Sequence, residues 1–375
     1  MKVYFDNAAT TPLDNEVLEA MIPVMKEQFG NPSSIHGFGR TTRALIENAR
    51  KSIAKLLNAS PSEIFFTSGG TEADNMAILC SVEDLGITHA ITSKIEHHAV
   101  LHTLEVLEKK GKIKLSFVNL LPDGSVDLTH LEELLKNNAR SLVSLMHANN
   151  EIGNLLPLDK VSELSKKYNA IFHCDTVQTM GHYQHDLQKT KIQFIVGAAH
   201  KFHGPKGVGF IYINSDISIH PLINGGAQER NMRGGTENLY GIVGIAKALE
   251  VAYRDMEDHQ KHVQEVKSYM IEQLEKNIEG VEFNGASRGE SLYTVLNVRF
   301  PHTDQAEMML FSLDINGIAA SGGSACSSGS NVGSHVLRGI NVDLSRPSVR
   351  FSFSKYSTKE EVDYVVSKLK DIFVK

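Results

Sequence analysis

Cysteine is nearly missing: Cys80, Cys174 and Cys326 stand far apart in a chain of 375 residues. That excludes a disulfide framework and any CxxC zinc or redox site. No run of Lys or Arg occurs, and 38 basic against 44 acidic residues leave a net charge of −6. Nucleic acid and anionic membrane surfaces are therefore not expected partners. Nothing approaches the roughly 18 consecutive apolar residues that a membrane-spanning helix needs. The opening MKVYFDNAATTP meets Asp6 before any apolar segment, which reads as no secretory leader. These absences leave the expectation of a soluble, cytoplasmic protein. With 41% hydrophobic and 22% charged residues, the composition is that of a globular chain rather than of disorder, collagen or coiled coil. At roughly 150 residues per domain the length suggests two domains with self-sufficient cores.

Apolar runs alternate with amphipathic stretches. The segments 63–67, 89–92, 112–120, 141–146, 170–174, 192–196 and 207–213 read as strands. Helical patterns at 71–80, 98–110, 127–138 and 158–168 separate most of them. Strands apolar on both faces and alternating with helices predict a mostly parallel sheet covered on both sides. No helix separates 192–196 from 207–213, so the sheet is expected to be mixed there. Thr236 to Lys276 reads as one helix or two leading out of this unit. Beyond it come a strand (291–300), a helix (303–314), a Gly/Ser segment, a strand (347–353) and a closing helix (358–373), a smaller α+β unit. In SGGSACSSGSNVGS (321–334) ten of fourteen residues are Gly or Ser. Such a stretch is usually a flexible linker, but this one lies inside a domain and encloses a Cys.

Three segments carry chemistry. AAHKFHGPKGVG (198–209) puts Lys201 just after an apolar strand, where α/β sheets bind ligands. A lysine in an apolar site has a lowered pKa and forms Schiff bases with aldehydes; the plain alternative is a solvated loop with Lys201 and Lys206. TSGGTEADN (67–75) reads as strand, two glycines and a helix beginning at Thr71, an arrangement that binds anions. It is neither a Walker A loop nor GxGxxG, and Thr71 would also serve as an ordinary N-cap. HCDTVQTMG (173–181) sets Asp175 after another apolar strand, where a carboxylate needs a partner such as a cationic ring nitrogen, or caps the next turn. Together a Schiff-base lysine, a phosphate-binding helix start and an acid for a pyridinium nitrogen describe a pyridoxal phosphate site. His98 and His102 are i,i+4 on an expected helix, a spacing that suits a metal, but no third ligand and no HExxH are present, so no metal is expected. Cys80 and Cys174 read as small core residues.

The sequence resembles the cysteine desulfurases, pyridoxal phosphate enzymes of the class V aminotransferase fold. The resemblance rests on DNAATTP (6–12), GNPSSIHGFGR (30–40), TSGGTEADN (67–75), IEHHAVL (95–101), NNEIG (149–153), HCDTVQ (173–178), HKFHGPKG (200–207), RGGTEN (233–238), SGGSACSSGS (321–330) and VRFS (349–352), in order along nearly the whole chain. The 321–330 stretch is similar to that of the group carrying a reactive Cys on a long mobile loop. The resemblance implies the α/β, aspartate aminotransferase-like fold of PLP-dependent transferases. It implies a large pyridoxal phosphate-binding domain over 16–255, and a small domain of 1–15 with 256–375 that bears the Cys loop (about 321–334).

By the same resemblance Lys201 holds the cofactor and acts as base, and His97 stacks on the ring and helps move protons. Asp175 keeps the ring nitrogen protonated, and Gln178 contacts the ring hydroxyl. Gly70, Thr71 and His200 bind the phosphate, with Thr236 reaching it from the neighbouring subunit of a homodimer. Arg350 clamps the substrate carboxylate, assisted by Asn150 and Asn7, and Cys326 accepts sulfur as a persulfide. The implied reaction converts L-cysteine to L-alanine and supplies sulfur, through an acceptor protein, to iron–sulfur cluster or other cofactor synthesis. Two departures stand out: Ala198 replaces a serine common in the family, and the chain ends soon after its closing helix, where familiar members carry a docking tail. Selenocysteine lyase, or another lyase or aminotransferase of this fold, is the enzymatic alternative. A catalytically silent sulfur-carrier or assembly subunit is the alternative of another class.

Overall fold

A computed structural model of the chain describes residues 1–138, 140–304, 306–322 and 333–373. Its centre is a seven-stranded sheet in the order β2-β8-β7-β6-β5-β3-β4. These strands are β2 (Ile64–Thr67), β3 (His89–Thr92), β4 (Lys114–Phe117), β5 (Leu142–Ser144), β6 (Ile171–Asp175), β7 (Phe194–Ala198) and β8 (Gly209–Ile213). Strands β3 to β7 pair in parallel, while β8 runs antiparallel to both β7 and β2. This is the mixed sheet that the missing helix between 196 and 207 predicts: a short connection between neighbouring strands can only return antiparallel.

Helices α3 (Gly70–Asp84) and α4 (His98–Lys109) cover one face, packing Ala73, Met76, Val100 and Leu104 against Ile171, Val196 and Ile211. On the other face α2 (Gly37–Leu56), α5 (Leu128–Asn137), α6 (Leu158–Lys167) and α7 (Leu239–Arg254) pack against Phe172, Cys174 and Phe210. Successive residues of β6 therefore feed opposite cores, Phe172 and Cys174 one way and Ile171 the other, as the strand period of two requires. Both α2 and the preceding α1 (Asn15–Glu27) lie outside the segments expected from periodicity. In α1 the pattern is interrupted by Pro23, which the helix accommodates in its interior.

The segment 236–276 forms two helices, α7 and α8 (Met256–Asn277), which meet at Asp255. A separate core joins α8 and α11 (Lys359–Phe373) to the antiparallel sheet β12-β10-β9 (Ser348–Ser352, Val295–Arg299, Glu282–Phe283). The expected helix at 303–314 is a 3₁₀ turn, Ala306–Met308, followed by the short α9, Met309–Ile315. Strand β1 (Val3–Tyr4) pairs in parallel with β11 (Ile318–Ala319), and Phe5 joins the same core. No helix among the described residues is long and apolar enough to cross a membrane.

Register fixes the site. Thr67 pairs with Gly209, and Gly209 with Ala198. Asp175 pairs with Val196 on the neighbouring strand. The carboxyl ends of β2, β7 and β6 thus lie side by side on one edge, where open α/β sheets bind ligands.

Candidate active site

A cavity of about 800 Å³ opens at that edge. It is lined by Gly70, Thr71, His97, Asn150, Asp175, Gln178, His200, Lys201 and Arg350 among others, so nine of the side chains singled out from the sequence converge. Two do not line it. Asn7 donates from Nδ2 to the carbonyls of Ser352 (2.9 Å) and Tyr4 (3.1 Å), so its amide braces β12 from behind. Thr236 lines a different pocket, with Thr67, Ser68 and Arg233, and does not border the cavity of its own chain. Cys326 lies outside the described residues. The chain on either side of 323–332 is nonetheless tied to the site's own elements. Ser321 exchanges backbone hydrogen bonds with Arg350. The Ser334 hydroxyl donates to buried Glu151 (2.5 Å), and the His335 ring meets the Glu96 carbonyl at 2.9 Å.

Lys201 ends a 3₁₀ turn that follows β7 directly. Its Nζ donates to the carbonyls of Ala8 (2.6 Å) and Ala9 (2.9 Å). The N-terminal segment is held there by Thr11, whose hydroxyl donates to the His200 carbonyl, and by Gln178 Nε2 on the Ala8 carbonyl. Lys206, by contrast, is exposed on the following loop.

Helix α3 begins one residue earlier than expected. Its N-cap is Gly69 and no side chain caps it, so Thr71 is a first-turn residue and not the cap. The unpaired N–H groups of that turn remain available to an anion. Gly70 is required by packing: a Cβ there would stand 2.8 Å from Val177 Cγ2.

Asp175 ends β6 and is 7% exposed. One oxygen accepts from the Val177 N–H at 2.8 Å, so the local-turn role is real but occupies a single oxygen. Burial raises its pKa, opposed by the nearby His97, that N–H and Lys201. His97 caps α4, its Nδ1 accepting from the Ala99 N–H (3.2 Å). Burial lowers its pKa although Asp175 pulls the other way, so the ring is held toward its neutral form. His200 is lowered to about 4 by burial and by Lys201 and Lys206. Arg350 is 1% exposed on β12. It pairs with Asp6 (2.8 Å) and the Asn150 carbonyl (2.9 Å), while its buried Nε has no partner among the described residues. Arg350 also lines the cavity, where a guanidinium suits a substrate carboxylate.

The class-V aminotransferase family profile matches residues 3–365. The chain belongs to this family.

Within it, the chain is similar to the cysteine desulfurase IscS of Dictyoglomus turgidum, 46% identical over 100% of this chain and 95% of that protein. It is similar also to the cysteine desulfurase IscS of Methanosarcina thermophila, 42% identical over 100% and 92%. Among solved structures, a NifS-like protein superposes with a TM-score of 0.91 at 39% identity, covering 99% of each chain. SspA, solved in complex with cysteine, superposes at 0.81 with 32% identity, covering 95% of this chain and 100% of that one. Class-V aminotransferases depend on pyridoxal phosphate, and the chain is a pyridoxal phosphate enzyme. The cavity fits that group: an uncapped helix start for the phosphate, the buried Asp175 carboxyl for the ring nitrogen, and Lys201 on the wall.

Sequence reasoning missed Asp74 and Met146, which also line the cavity. For Asp74 a signal existed: it lies four residues after Gly70 on α3, hence on the same helical face. Ala198 lines the cavity too and is 2% exposed. Its Cβ stands 3.7 Å from where a Cβ on Gly70 would be, so a hydroxyl added there reaches the open start of α3. Ala198→Ser is expected to slow cofactor loss in dialysis, a charge-assisted hydrogen bond being worth about 1.5–3 kcal/mol. Faster loss than from the parent protein would show a different phosphate position.

Proposed function

We infer that the protein is a cysteine desulfurase: it converts L-cysteine to L-alanine and moves the sulfur onto a cysteine of its own. The observation that carries this is the convergence of Lys201, Asp175 and the uncapped start of α3 on one cavity that Arg350 also lines. Pyridoxal phosphate, when bound, supplies an aldehyde for a lysine and a ring that draws electrons from the substrate α-carbon.

The rest belongs to the chain. Gly70, Thr71 and His200 would hold the phosphate. Asp175 would keep a proton on the ring nitrogen, Gln178 would contact the ring hydroxyl, and His97 would stack on the ring and help move protons. Arg350 and Asn150 receive the substrate carboxylate, with Asn7 bracing β12 behind them. Lys201 takes the α-proton of cysteine. The Cys326 thiolate attacks the substrate sulfur; the S–S bond forms as the C–S bond breaks, the β-carbon keeps that electron pair and is protonated, Lys201 returns a proton to the α-carbon, and alanine leaves. Two observations support Cys326. Burial pushes the Cys80 thiol up to about 12, and pushes Cys174 well above its ordinary value with help from Asp175, so neither offers a thiolate. Both flanks of the segment bearing Cys326 are anchored on site elements.

Asp175→Asn is expected to fold normally and lose on the order of 10²–10³ in kcat, the scale of one preorganised electrostatic contact. Burial already penalises the charged form of Asp175, so a neutral isostere does not cost stability. Near-parent alanine production by this variant would remove Asp175 from its role.

The active form is a homodimer, with Thr236 serving the neighbouring subunit's phosphate site. An exposed apolar face supports this: Leu18, Ile22 and Met25 recur on α1, beside Phe29 (75% exposed), Ile35 (91%) and Phe38 (61%), more than a lone subunit ordinarily leaves to water. The division into 16–255 and 1–15 with 256–375 is supported by the separate cores that meet between α7 and α8. The persulfide passes to an acceptor protein for iron–sulfur cluster or other sulfur-containing cofactor assembly, in the cytoplasm, where thiols stay reduced. Incubation with L-cysteine and a reductant tests the whole reading: sulfide and alanine should appear in equal amounts, and a keto acid in place of alanine would overturn it.

A further inference from the structure

Two buried polar residues beside the cavity have no part in the chemistry above. Asp74 sits one turn into α3 and is 1% exposed; His173, two residues before Asp175 on β6, is 0% exposed. Asp74 Oδ1 lies 3.3 Å from His173 Nε2, yet neither atom has a hydrogen-bond partner in good geometry among the described residues. On its far side the imidazole closes a chain: His173 Nδ1 is 2.8 Å from the buried hydroxyl of Ser144. On the near side Asp74 lines the cavity, and it offers an oxygen within 4.8 Å of both an Asp175 oxygen and a His97 ring nitrogen.

Two carboxylates this close and this dry do not both ionise. Asp175 has the better claim to the charge, with the Val177 N–H on one oxygen and His97 and Lys201 nearby. Asp74 has the opposite surroundings: burial first, then the negative charges of Asp175 and Glu96, push its pKa well above the ordinary range. Burial lowers His173 to about 3, so the imidazole is neutral. Buried polar atoms left face to face without a bond are rare. A single proton between them satisfies both, supplied either by the carboxyl, which Asp175 and Glu96 crowd, or by the Nε2–H tautomer of the ring.

We propose that Asp74 is a positioning residue whose protonated carboxyl donates to His173 Nε2 and so keeps Asp175 the single ionised carboxylate facing the cofactor's ring nitrogen. The same arrangement makes His173 the Nδ1–H tautomer, donating to Ser144 Oγ. The proposal rests on the reading of Asp175 given above.

The test is nitrogen-15 NMR of the purified, histidine-labelled protein, with the His173 signals assigned by their loss in His173→Gln. The parent should show a neutral Nδ1–H ring that does not titrate across roughly pH 6 to 9, an ordinary histidine being half-charged near 6.5. Asp74→Asn still offers an N–H to Nε2. It should keep the tautomer and hold kcat/KM within roughly threefold of the parent, as expected when a hydrogen bond is replaced in kind. Asp74→Ala offers none, and should lose the single tautomer and release cofactor roughly tenfold faster.

An imidazolium or an Nε2–H ring in the parent would make Asp74 the ionised acceptor and overturn the proposal. So would Asp74→Ala matching the parent in tautomer and cofactor release, or Asp74→Asn failing as badly as Asp74→Ala. The tautomer is read without the cofactor. Purified protein that took up no pyridoxal phosphate would sink the reading of the site, while the His173 ring would still decide between the two protonation patterns.

Discussion

Lys201→Ala is expected to abolish turnover of L-cysteine, by at least ~10⁴-fold, the scale on which removing the central member of a catalytic unit acts. The loss has two sources. On the proposed mechanism the side chain that holds the cofactor aldehyde disappears, and with it the base at the substrate α-carbon. The fold should survive, because Lys201 does not anchor its surroundings alone. Two N–H···O bonds to Ala8 and Ala9 are lost, but Gln178 still donates to the Ala8 carbonyl and Thr11 to that of His200. Borohydride treatment of the parent should fix the cofactor on the peptide containing Lys201, and the variant should show no fixed cofactor. A reduced adduct on Lys206 would contradict the assignment.

Cys326→Ala is expected to remove sulfide and alanine production as completely, while leaving cofactor content and cysteine binding intact. The distinction matters, because the two variants then separate cofactor chemistry from sulfur acceptance. Loss of Cys326 takes away the proposed nucleophile but none of the described side chains lining the cavity. Cys80→Ala and Cys174→Ala should do the reverse. Both thiols are buried in the cores flanking the sheet, so truncation there costs stability, about 1 kcal/mol or somewhat more as small core deletions do, and leaves the rate near that of the parent. Sulfide release by Cys326→Ala at the parent rate would mean that another group accepts the sulfur.

The parts of the site legible in the sequence were those where a strand ends in a short motif. Lys201 and Asp175 each follow an apolar run that can only be a buried strand, and the end of such a strand is a place the fold fixes. The paired glycines before Thr71 marked an anion-binding helix start, and the structure adds a packing reason for Gly70, where a Cβ would stand 2.8 Å from Val177 Cγ2. What stayed hidden depends on two periodicities taken together. Asp74 reaches the cavity because it shares a helical face with Gly70. His173 reaches Asp74 because it shares a strand face with Asp175, while Cys174 between them points into the opposite core. Each period is simple, but their crossing is set by how α3 lies on the sheet.

Helices α1 and α2 escaped for another reason. In α1, Leu18, Ile22 and Met25 face outward, so its apolar residues do not mark a single buried stripe; α2 buries one stripe through Ile46, Ala49 and Ile53, but Thr42 and Arg50 on that same face break the apolar pattern. Asn7 was drawn to the site by its motif, yet the pairing of Asp6 with Ser352 turns its amide toward β12.

The central claim is that sulfur leaves cysteine at the Lys201 cavity and arrives on Cys326. Mass spectrometry after a brief pulse of L-cysteine without reductant measures this directly. The account predicts one extra sulfur atom on the peptide containing Cys326, together with an equivalent of alanine. Extra sulfur on the Cys80 or Cys174 peptide, or alanine without any protein-bound sulfur, would contradict it.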